Sequence, residues 1–316
     1  MSQTRKWGVV VVGELNVDLI ANNIERAPEI GKEVIAHAFT TALGSSSAIF
    51  ASNLSTLGTP VTFVGRVGND SNGDFILSEL QSKGVDVSNI IRSGFRDTGV
   101  TLVLNYGDDR AMVTYPGCMT SLSPNDVTDT VLQACRHLHV SSIFLMPRIR
   151  ENLVRLFSRA RQFGLTTSLD PQWDPSEQWD LELNQVLAVT DIFLPNRREL
   201  ELLTGASGIS NALTRIEEGH VIVVKDGKEG ATLWDHGKII TQRSFFNENV
   251  VDSIGAGDSF NAGFIHKYLL GEPLHQCLRF ACLTGAINTT APGGTAAFSD
   301  FDSVKKTARE AFGISI

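Results

Sequence analysis

The feature that most constrains the fold is a regular alternation of short apolar runs and longer amphipathic segments after residue 131. The pattern predicts strands at 137–145, 165–170, 192–195 and 221–225, separated by helices at 151–163, up to 186, and at 198–203. An alternation of this kind predicts an α/β fold with right-handed crossovers. The β-branched run at 8–12 is typical of a strand covered on both faces. We therefore expect a doubly wound, mostly parallel central sheet with helices on both faces.

Two segments, at about 14–41 and 98–116, interrupt this alternation with additional short strands. The runs at 34–41 and 98–115 read as strands, with turn residues at 105–110 between them. Strands in such a patch cannot bury two faces alone, so we expect a small β-sheet over the open edge of the main sheet. No linker or internal repeat divides the 316 residues, which predicts a single domain with these strands inserted.

The segment 249–264 predicts an anion-binding turn with a reactive aspartate beside it. A β-branched run is followed by Gly255, Ala256 and Gly257, and then by a small-residue helix with Asp258 in its first turn. The glycines leave backbone amides open to an anion, and the positive end of the helix favours negative charge. An aspartate beside such a pocket can accept the proton of a hydroxyl while the amides steady a transferring phosphoryl group. The alternative for the short motif alone is that Asp258 caps a helix.

The whole run resembles the C-terminal signature of the ribokinase-like (pfkB) carbohydrate kinases, D-x-x-G-A-G-D-x-F-x-x-G. Every fixed position from Asp252 to Gly263 is met. The resemblance implies a ribokinase-like fold and transfer of the γ-phosphoryl group of ATP to a hydroxymethyl group of a sugar. It implies that Asp258 is the catalytic base and that the amides of 255–257 form the anion hole. It also implies that the small sheet is a lid over the acceptor and the contact of a homodimer.

The acceptor residues are predicted near the N-terminus. Asn16 and Asp18 point to one side of an extended segment, and they resemble the family's G-x-x-N-x-D, whose aspartate holds two hydroxyls of the acceptor. The family's Gly-Gly pair corresponds here to Gly44 and Ser45, so these positions are assigned to the acceptor too. Ile49 stands where the family has a sugar-binding asparagine, so part of the usual polar contact set is missing.

This departure removes polar sugar contacts and leaves room for a base, which keeps a nucleoside kinase of the adenosine type open as an alternative. A second alternative is a catalytically idle member that binds a ligand to regulate a partner, but the presence of Asp258, Asn196 and Glu199 together argues against it. Gln172 and Asp174 stand where related sugar-acid kinases have Asn and Arg. An acidic sugar would need that arginine for its carboxylate, which disfavours acidic acceptors.

The resemblance also assigns the nucleotide and metal residues. Asn196 and Glu199 match the family's N-x-x-E and lie one helical turn apart. A carboxylate beside a triphosphate suits Mg²⁺, while a helix-capping box is the alternative explanation of the pair. The segment 224–230 resembles the family's ATP loop, which assigns Lys225, Gly227 and Gly230 to the nucleotide, although a β-hairpin turn explains the glycines equally well.

The same resemblance implies a monovalent cation such as K⁺ near Asp252.

Composition and charge exclude other classes of protein. The net charge of −8 and the lack of any Lys/Arg block longer than two residues argue against nucleic-acid binding. The apolar runs are too short to span a membrane, and the four cysteines show no C-x-x-C spacing. Residues 1–6 lead into a strand without the apolar region and cleavage site of a signal peptide, so we expect a reduced, cytoplasmic protein. His137 and His139 share one face of a predicted strand, but without a third ligand such a pair is more typical of a structural role than of a metal site.

Overall fold

The computed structural model describes residues 8–106, 110–217 and 221–316. The strands, in chain order, are β1 (Val9–Val12), β2 (Asn16–Ile24), β3 (Ala36–Leu43), β4 (Val61–Gly68), β5 (Asp86–Ser93), β6 (Gly99–Asn105), β7 (Arg110–Tyr115), β8 (His137–Ser141), β9 (Thr166–Asp170), β10 (Ile192–Phe193), β11 (Val221–Lys225), β12 (Ala231–Asp235) and β13 (Lys238–Gln242). The helices are α1 (Ser46–Thr56), α2 (Ser71–Ser82), α3 (Asp129–Ala134), α4 (Pro147–Arg150), α5 (Leu153–Gln162), α6 (Leu183–Leu187), α7 (Arg197–Thr204), α8 (Ile209–Leu213), α9 (Ala256–Leu269), α10 (Leu274–Asn288) and α11 (Phe301–Phe312). In these three stretches of chain, no helix is both long and apolar enough to cross a bilayer.

The main sheet has nine strands in the order β13-β12-β11-β10-β9-β8-β1-β4-β5. All neighbours from β11 to β5 are parallel, and only the edge strands β12 and β13 pair in the antiparallel sense. Strand β1 lies between β8 and β4, so the chain builds the sheet outward from β1 in both directions. The predicted doubly wound, mostly parallel sheet is confirmed.

Alternate side chains of β1 enter two different cores, as the period of a strand requires. Val9 and Val11 pack with residues of α1, α2, α9, α10 and α11 on one face. Val10 and Val12 pack with residues of α3 to α8 on the other face. Both faces of the sheet are therefore covered by helices, which explains why β1 is an unbroken run of valines rather than an alternating one.

A separate small sheet is formed by β2, β3, β6 and β7, in the order β3-β2-β6-β7. Val17 and Leu43 anchor this small sheet in the first core, close to the end of β1. Its outer strands are exposed along most of their length and carry apolar side chains at the surface, including Phe39, Val113 and Tyr115.

Some predicted elements differ from the structure. The β-branched run before the Gly-Ala-Gly turn lies in an irregular segment, where Val250 and Val251 are each 59% exposed and the amide of Val251 donates to the carbonyl of Thr289. The strand predicted at 137–145 ends at Ser141, because Ser142 takes a left-handed conformation (φ 55°) and starts a short 3₁₀ turn. An apolar run indicates burial as readily as strand pairing, and Ile143 is fully buried beyond the end of β8, which explains why the predicted strand is too long.

Candidate active site

Several charged and polar residues lie together at the carboxyl ends of the parallel strands. Glu14 follows β1, Asp170 ends β9, Asn196 follows β10 and Lys225 ends β11. Since the sheet order reverses at β1, this edge is the crevice in which open α/β sheets bind ligands.

The Gly-Ala-Gly-Asp turn is held in place by packing that only glycine permits. Gly255 caps α9 with φ 76°, and a Cβ at this position would lie 2.5 Å from the Cα of Gly294. The side chain of Asn53 in α1 donates to the carbonyl of Gly294 and to Ser259 Oγ, which ties α1 to the turn. Asp258 lies within the first turn of α9 rather than at its N-cap, so the capping alternative does not describe it.

The carboxylate of Asp258 is buried, with a relative exposure of 6% for the residue. Its Oδ1 accepts a hydrogen bond of 3.1 Å from Gln172 Nε2. Burial raises the pKa of Asp258 well above its usual range, and the negative charges of Asp170 and Glu14 raise it further, whereas Lys225 opposes the shift. The group therefore has the raised basicity that general-base catalysis favours.

Lys225 forms an ion pair with the buried carboxylate of Asp170, near Asp258. Its Nζ is 2.7 Å from Asp170 Oδ2 and 3.4 Å from Asn261 Oδ1. Burial disfavours the charged form, but the negative charges of Asp170 and Glu199 outweigh it and raise the pKa of Lys225. A Cβ placed on Gly257 would be 3.8 Å from the same Nζ, so the ammonium lies close to Gly257 of the turn.

A cavity of about 430 Å³ opens beside this turn. Its size is in the range typical of small-molecule sites. The predicted nucleotide residues Lys225, Gly227 and Gly230 line it together with Ala256 and Gly257. Its remaining walls are mainly apolar, from Phe245, Phe246, Val250, Phe260, Cys282 and Ala286. The loop of Gly227 and Gly230 also joins β11 to β12 as a hairpin, so the hairpin interpretation of these glycines is confirmed, and the assignment to the nucleotide stays a prediction.

Asn196 and Glu199 form a complete capping box at the start of α7. Asn196 Oδ1 accepts from the Glu199 amide, and Glu199 Oε2 accepts from the Asn196 amide. Glu199 is nevertheless buried beside the ion pair: burial and the charge of Asp170 raise its pKa to about 7, against the effect of Lys225. A carboxylate oxygen has more than one lone pair, so capping leaves Glu199 able to bind a cation.

The predicted acceptor residues Asn16, Asp18 and Gly44 come together at the base of the small sheet. Asn16 Nδ2 donates to Asp18 Oδ1 at 2.8 Å and to Thr101 Oγ1 at 2.9 Å. A Cβ on Gly44 would lie 2.2 Å from Asp18 Oδ1, so only glycine fits there. Burial raises the pKa of Asp18 to about 6, although Asn16 and the charge of Arg110 favour its ionised form.

Other predicted residues have their side chains engaged by the protein itself. Ser45 caps α1: its hydroxyl donates to the carbonyl of Glu14 and accepts from the amide of Ala48. Ile49 is buried against Gly294 and Gly255.

Asp252 accepts hydrogen bonds from the amides of Ile254 and Gly293, both at 2.9 Å. It thereby joins the turn before α9 to the loop after α10.

His137 and His139 hydrogen bond to Thr166 and Ser168 within the core. Among the described residues, no group of three or more His, Cys, Asp and Glu side chains is arranged to hold a metal ion. Asp174 accepts from the backbone of Ser176 and Trp179 and so shapes a turn.

Sequence reasoning gave no role to several residues that the structure brings to the site. Glu14 is buried and accepts hydrogen bonds from the amide of Ser47 and the hydroxyl of Ser142. Asp170, Gln172 and Asn261 surround Lys225 and Asp258. The available signal was position, since Glu14 and Asp170 are acidic residues at or just beyond the carboxyl ends of apolar strands, where the ligand crevice of such a sheet lies.

The chain is similar to known kinases over nearly its whole length. Residues 7–300 match the model of the pfkB family of carbohydrate kinases. The 2-dehydro-3-deoxygluconokinase of Bacillus subtilis is 30% identical over 306 residues, covering 91% of each chain.

Two solved structures share the fold. Ribokinase of Arabidopsis thaliana in complex with ribose and ATP superposes with a TM-score of 0.83 at 25% identity, covering 96% of this chain and 98% of that one. An E. coli protein assigned as a ribokinase II, in complex with ATP and Mg²⁺, gives the same TM-score at 26% identity, with 96% and 99% covered. The predictions of a ribokinase-like fold and of a phosphotransferase acting on sugars are confirmed, and the chain belongs to the pfkB family of carbohydrate kinases.

Proposed function

We propose that Asp258 is the base of a direct phosphoryl transfer from ATP to a primary hydroxyl of a sugar. The acceptor oxygen forms a bond to the γ-phosphorus, the bond from that phosphorus to the β,γ-bridging oxygen breaks, and Asp258 takes the hydroxyl proton as ADP leaves. The observation that carries the proposal is that Lys225, Ala256 and Gly257 line the cavity, while Asp258 follows them directly in α9 and lies near enough to Lys225 for the ammonium to lower its pKa. Amides and a cation in this position stabilise the charge of the transferring group.

For the acceptor, we propose a neutral sugar held by Asn16 and Asp18. Asn16 donates to Asp18 Oδ1, which fixes the carboxylate so that its free lone pairs can accept from sugar hydroxyls. Glu14 and Asp258 add acidic groups on the same side, and the charge of Glu14 acts on both Asp18 and Asp258. Such a setting disfavours a carboxylate on the acceptor, even though the Bacillus subtilis relative is named for a sugar acid.

Glu199 is the residue proposed to hold Mg²⁺, which would neutralise charge on the ATP phosphates when bound. Its buried carboxylate keeps unused lone pairs and lies within the electrostatic reach of Lys225 and Asp170. The loop joined by Asp252 and Gly293 is the proposed place of a monovalent cation such as K⁺.

We also propose a homodimer through the small sheet, supported by its exposed apolar side chains Phe39, Val113 and Tyr115. The cytoplasm is the proposed compartment, since the four cysteines are unpaired and buried.

A coupled ADP-release screen tests the function. The panel contains ribose, fructose, 2-dehydro-3-deoxygluconate and adenosine, each measured with and without Mg²⁺ and K⁺. We expect Mg²⁺-dependent ADP release with a neutral sugar and little with the sugar acid. Preference for the sugar acid would refute the neutral acceptor, preference for adenosine would favour the nucleoside kinase, and ATP binding without turnover of any acceptor would favour an idle ligand-binding protein.

A further inference from the structure

The side chain of Asp170 collects three hydrogen-bond donors on a single oxygen. Its Oδ2 accepts from Lys225 Nζ at 2.7 Å, from Gln172 Nε2 at 2.9 Å and from Asn261 Nδ2. Asp170 is fully buried, and its Oδ1 has no hydrogen-bond partner. A buried carboxylate is costly unless it is paired and hydrogen-bonded, and in Asp170 one oxygen makes all of these interactions.

Two of these donors connect Asp170 to different parts of the proposed site, the cavity and Asp258. Lys225 lines the cavity and lies close to Gly257 of the Gly-Ala-Gly turn. Gln172 donates from the same Nε2 to Asp258 Oδ1, so it links Asp170 to the base. Gln172 holds this position in the left-handed region, with φ 59°. Such a conformation is uncommon for a residue other than glycine, asparagine or aspartate, and it occurs preferentially at functional sites.

From this arrangement we infer that Asp170 is a positioning residue that holds Lys225 at the phosphate side and, through Gln172, Asp258 at the acceptor side. The inference rests on the proposed function, because it gives Asp170 and Gln172 roles in that reaction. Asn261 completes the arrangement, since it donates to Asp170 and its Oδ1 faces Lys225 Nζ at 3.4 Å.

The charged groups that act on Asp258 come from several elements. They are Asp170 at the end of β9, Glu14 after β1 and Lys225 at the end of β11, while Glu199 in α7 and His139 in β8 interact with Lys225 in turn. Asp170 is the largest of the charge effects that raise the pKa of Asp258, after burial. Removal of its charge therefore shifts the ionisation of the base to lower pH, a change that a purely structural role of Asp170 would not produce.

The experiment compares Asp170→Asn and Gln172→Leu with Asp174→Asn in the full-length enzyme. Asp174 is the matched control, because it is a buried aspartate of the same loop, but its oxygens accept from the backbone of Ser176 and Trp179. The readouts are the melting temperature, the Kd of MgATP by calorimetry, and kcat from pH 5 to 9 with the acceptor that releases most ADP from wild type.

For Asp170→Asn we expect kcat at pH 8 to fall by roughly tenfold or more and the acid limb of the kcat profile to move down by about one pH unit. For Gln172→Leu we expect a lower kcat with an unchanged Kd of MgATP, because Lys225 keeps its contact with Asp170. Asp174→Asn should lower the melting temperature and leave the pH profile in place.

An unchanged acid limb in Asp170→Asn, or the same shift in Asp174→Asn, would overturn the inference. If Asp170→Asn does not fold, Gln172→Leu decides: a wild-type kcat in that variant overturns it. Absence of ADP release from wild type is a different result, since it refutes the proposed reaction itself and the role of Asp170 with it.

Discussion

Replacement of Asp258 by asparagine should remove activity and increase stability at the same time. The substitution keeps the shape of the side chain but abolishes its ability to accept a proton. General-base catalysis contributes roughly 10²- to 10⁴-fold, so kcat should fall by that factor, which corresponds to about 2.7–5.4 kcal/mol in the activation free energy. The Kd of ATP should stay near its wild-type value, because the proposed phosphate contacts, the amides of 255–257 and Lys225, are unchanged.

The expected gain in stability follows from the pKa of the same group. Burial raises the pKa of Asp258 in the folded chain above the ordinary value of 3.8. The native state then binds more protons than the unfolded state between these two pKa values, so the group destabilises the fold increasingly as the pH rises through this window. An asparagine carries no such penalty, and the melting temperature of the variant should exceed that of wild type by more at pH 8 than at pH 5.

The assay combines single-turnover and steady-state ADP release with thermal unfolding at both pH values. Asp302→Asn is a suitable control, because Asp302 is also in the first turn of a helix but its side chain is 92% exposed. A kcat within a few-fold of wild type would refute the role of Asp258 as the base. If Asp258→Asn has a lower melting temperature than wild type at pH 8, burial does not destabilise the ionised form of Asp258.

Three further predictions concern the turn, the acceptor and the ion pair. Gly255→Ala should abolish turnover and destabilise the fold strongly, because its Cβ would meet the facing backbone at 2.5 Å; Gly271→Ala, at a nearly identical φ of 79° but in open space, should cost only about 1–2 kcal/mol. The KM of the acceptor should rise as the pH falls below about 6, where Asp18 becomes protonated, reaching roughly tenfold at pH 5, while the KM of ATP stays constant; a flat acceptor KM from pH 5 to 8 would contradict the contact. Lys225→Met should weaken ATP binding and reduce the free energy of unfolding by roughly 3–5 kcal/mol in urea titrations, because it leaves the carboxylate of Asp170 buried without its cation. The double variant with Asp170→Asn should recover most of the stability but not the ATP affinity, and equal stability of the single and double variants would argue against this explanation.

Local sequence was sufficient wherever the physical cause is local. The alternation of apolar runs predicted the doubly wound sheet, since periods of 2 and 3.6 residues follow from backbone geometry alone. The glycines of the turn and the position of Asp258 in the first turn of α9 could be predicted for the same reason. Gly44 is a related case, although the reason for glycine there, its contact with Asp18, became clear only from the fold.

Whether a polar side chain serves the backbone or a ligand could be decided only by the tertiary structure. Ser45 and Asp252 lie in the expected segments, but their hydrogen bonds go to the chain itself. Asn196 and Glu199 satisfy a capping box and lie beside the buried ion pair as well. A short motif shows which donors and acceptors are present, but not which partners they bind in the folded chain.

The contacts around Asp258 show most clearly what a local sequence pattern cannot predict. Gln172 lies 86 residues before Asp258, and Asp170 lies 55 residues before Lys225, so no local pattern connects them. They meet because parallel strands from distant parts of the chain end at one edge of the sheet. The sequence by itself determined the sheet, the glycine turn and the place of Asp258 in it, and the tertiary structure decided which charges surround that carboxylate, because electrostatic interactions depend on distance in space and not on separation along the chain.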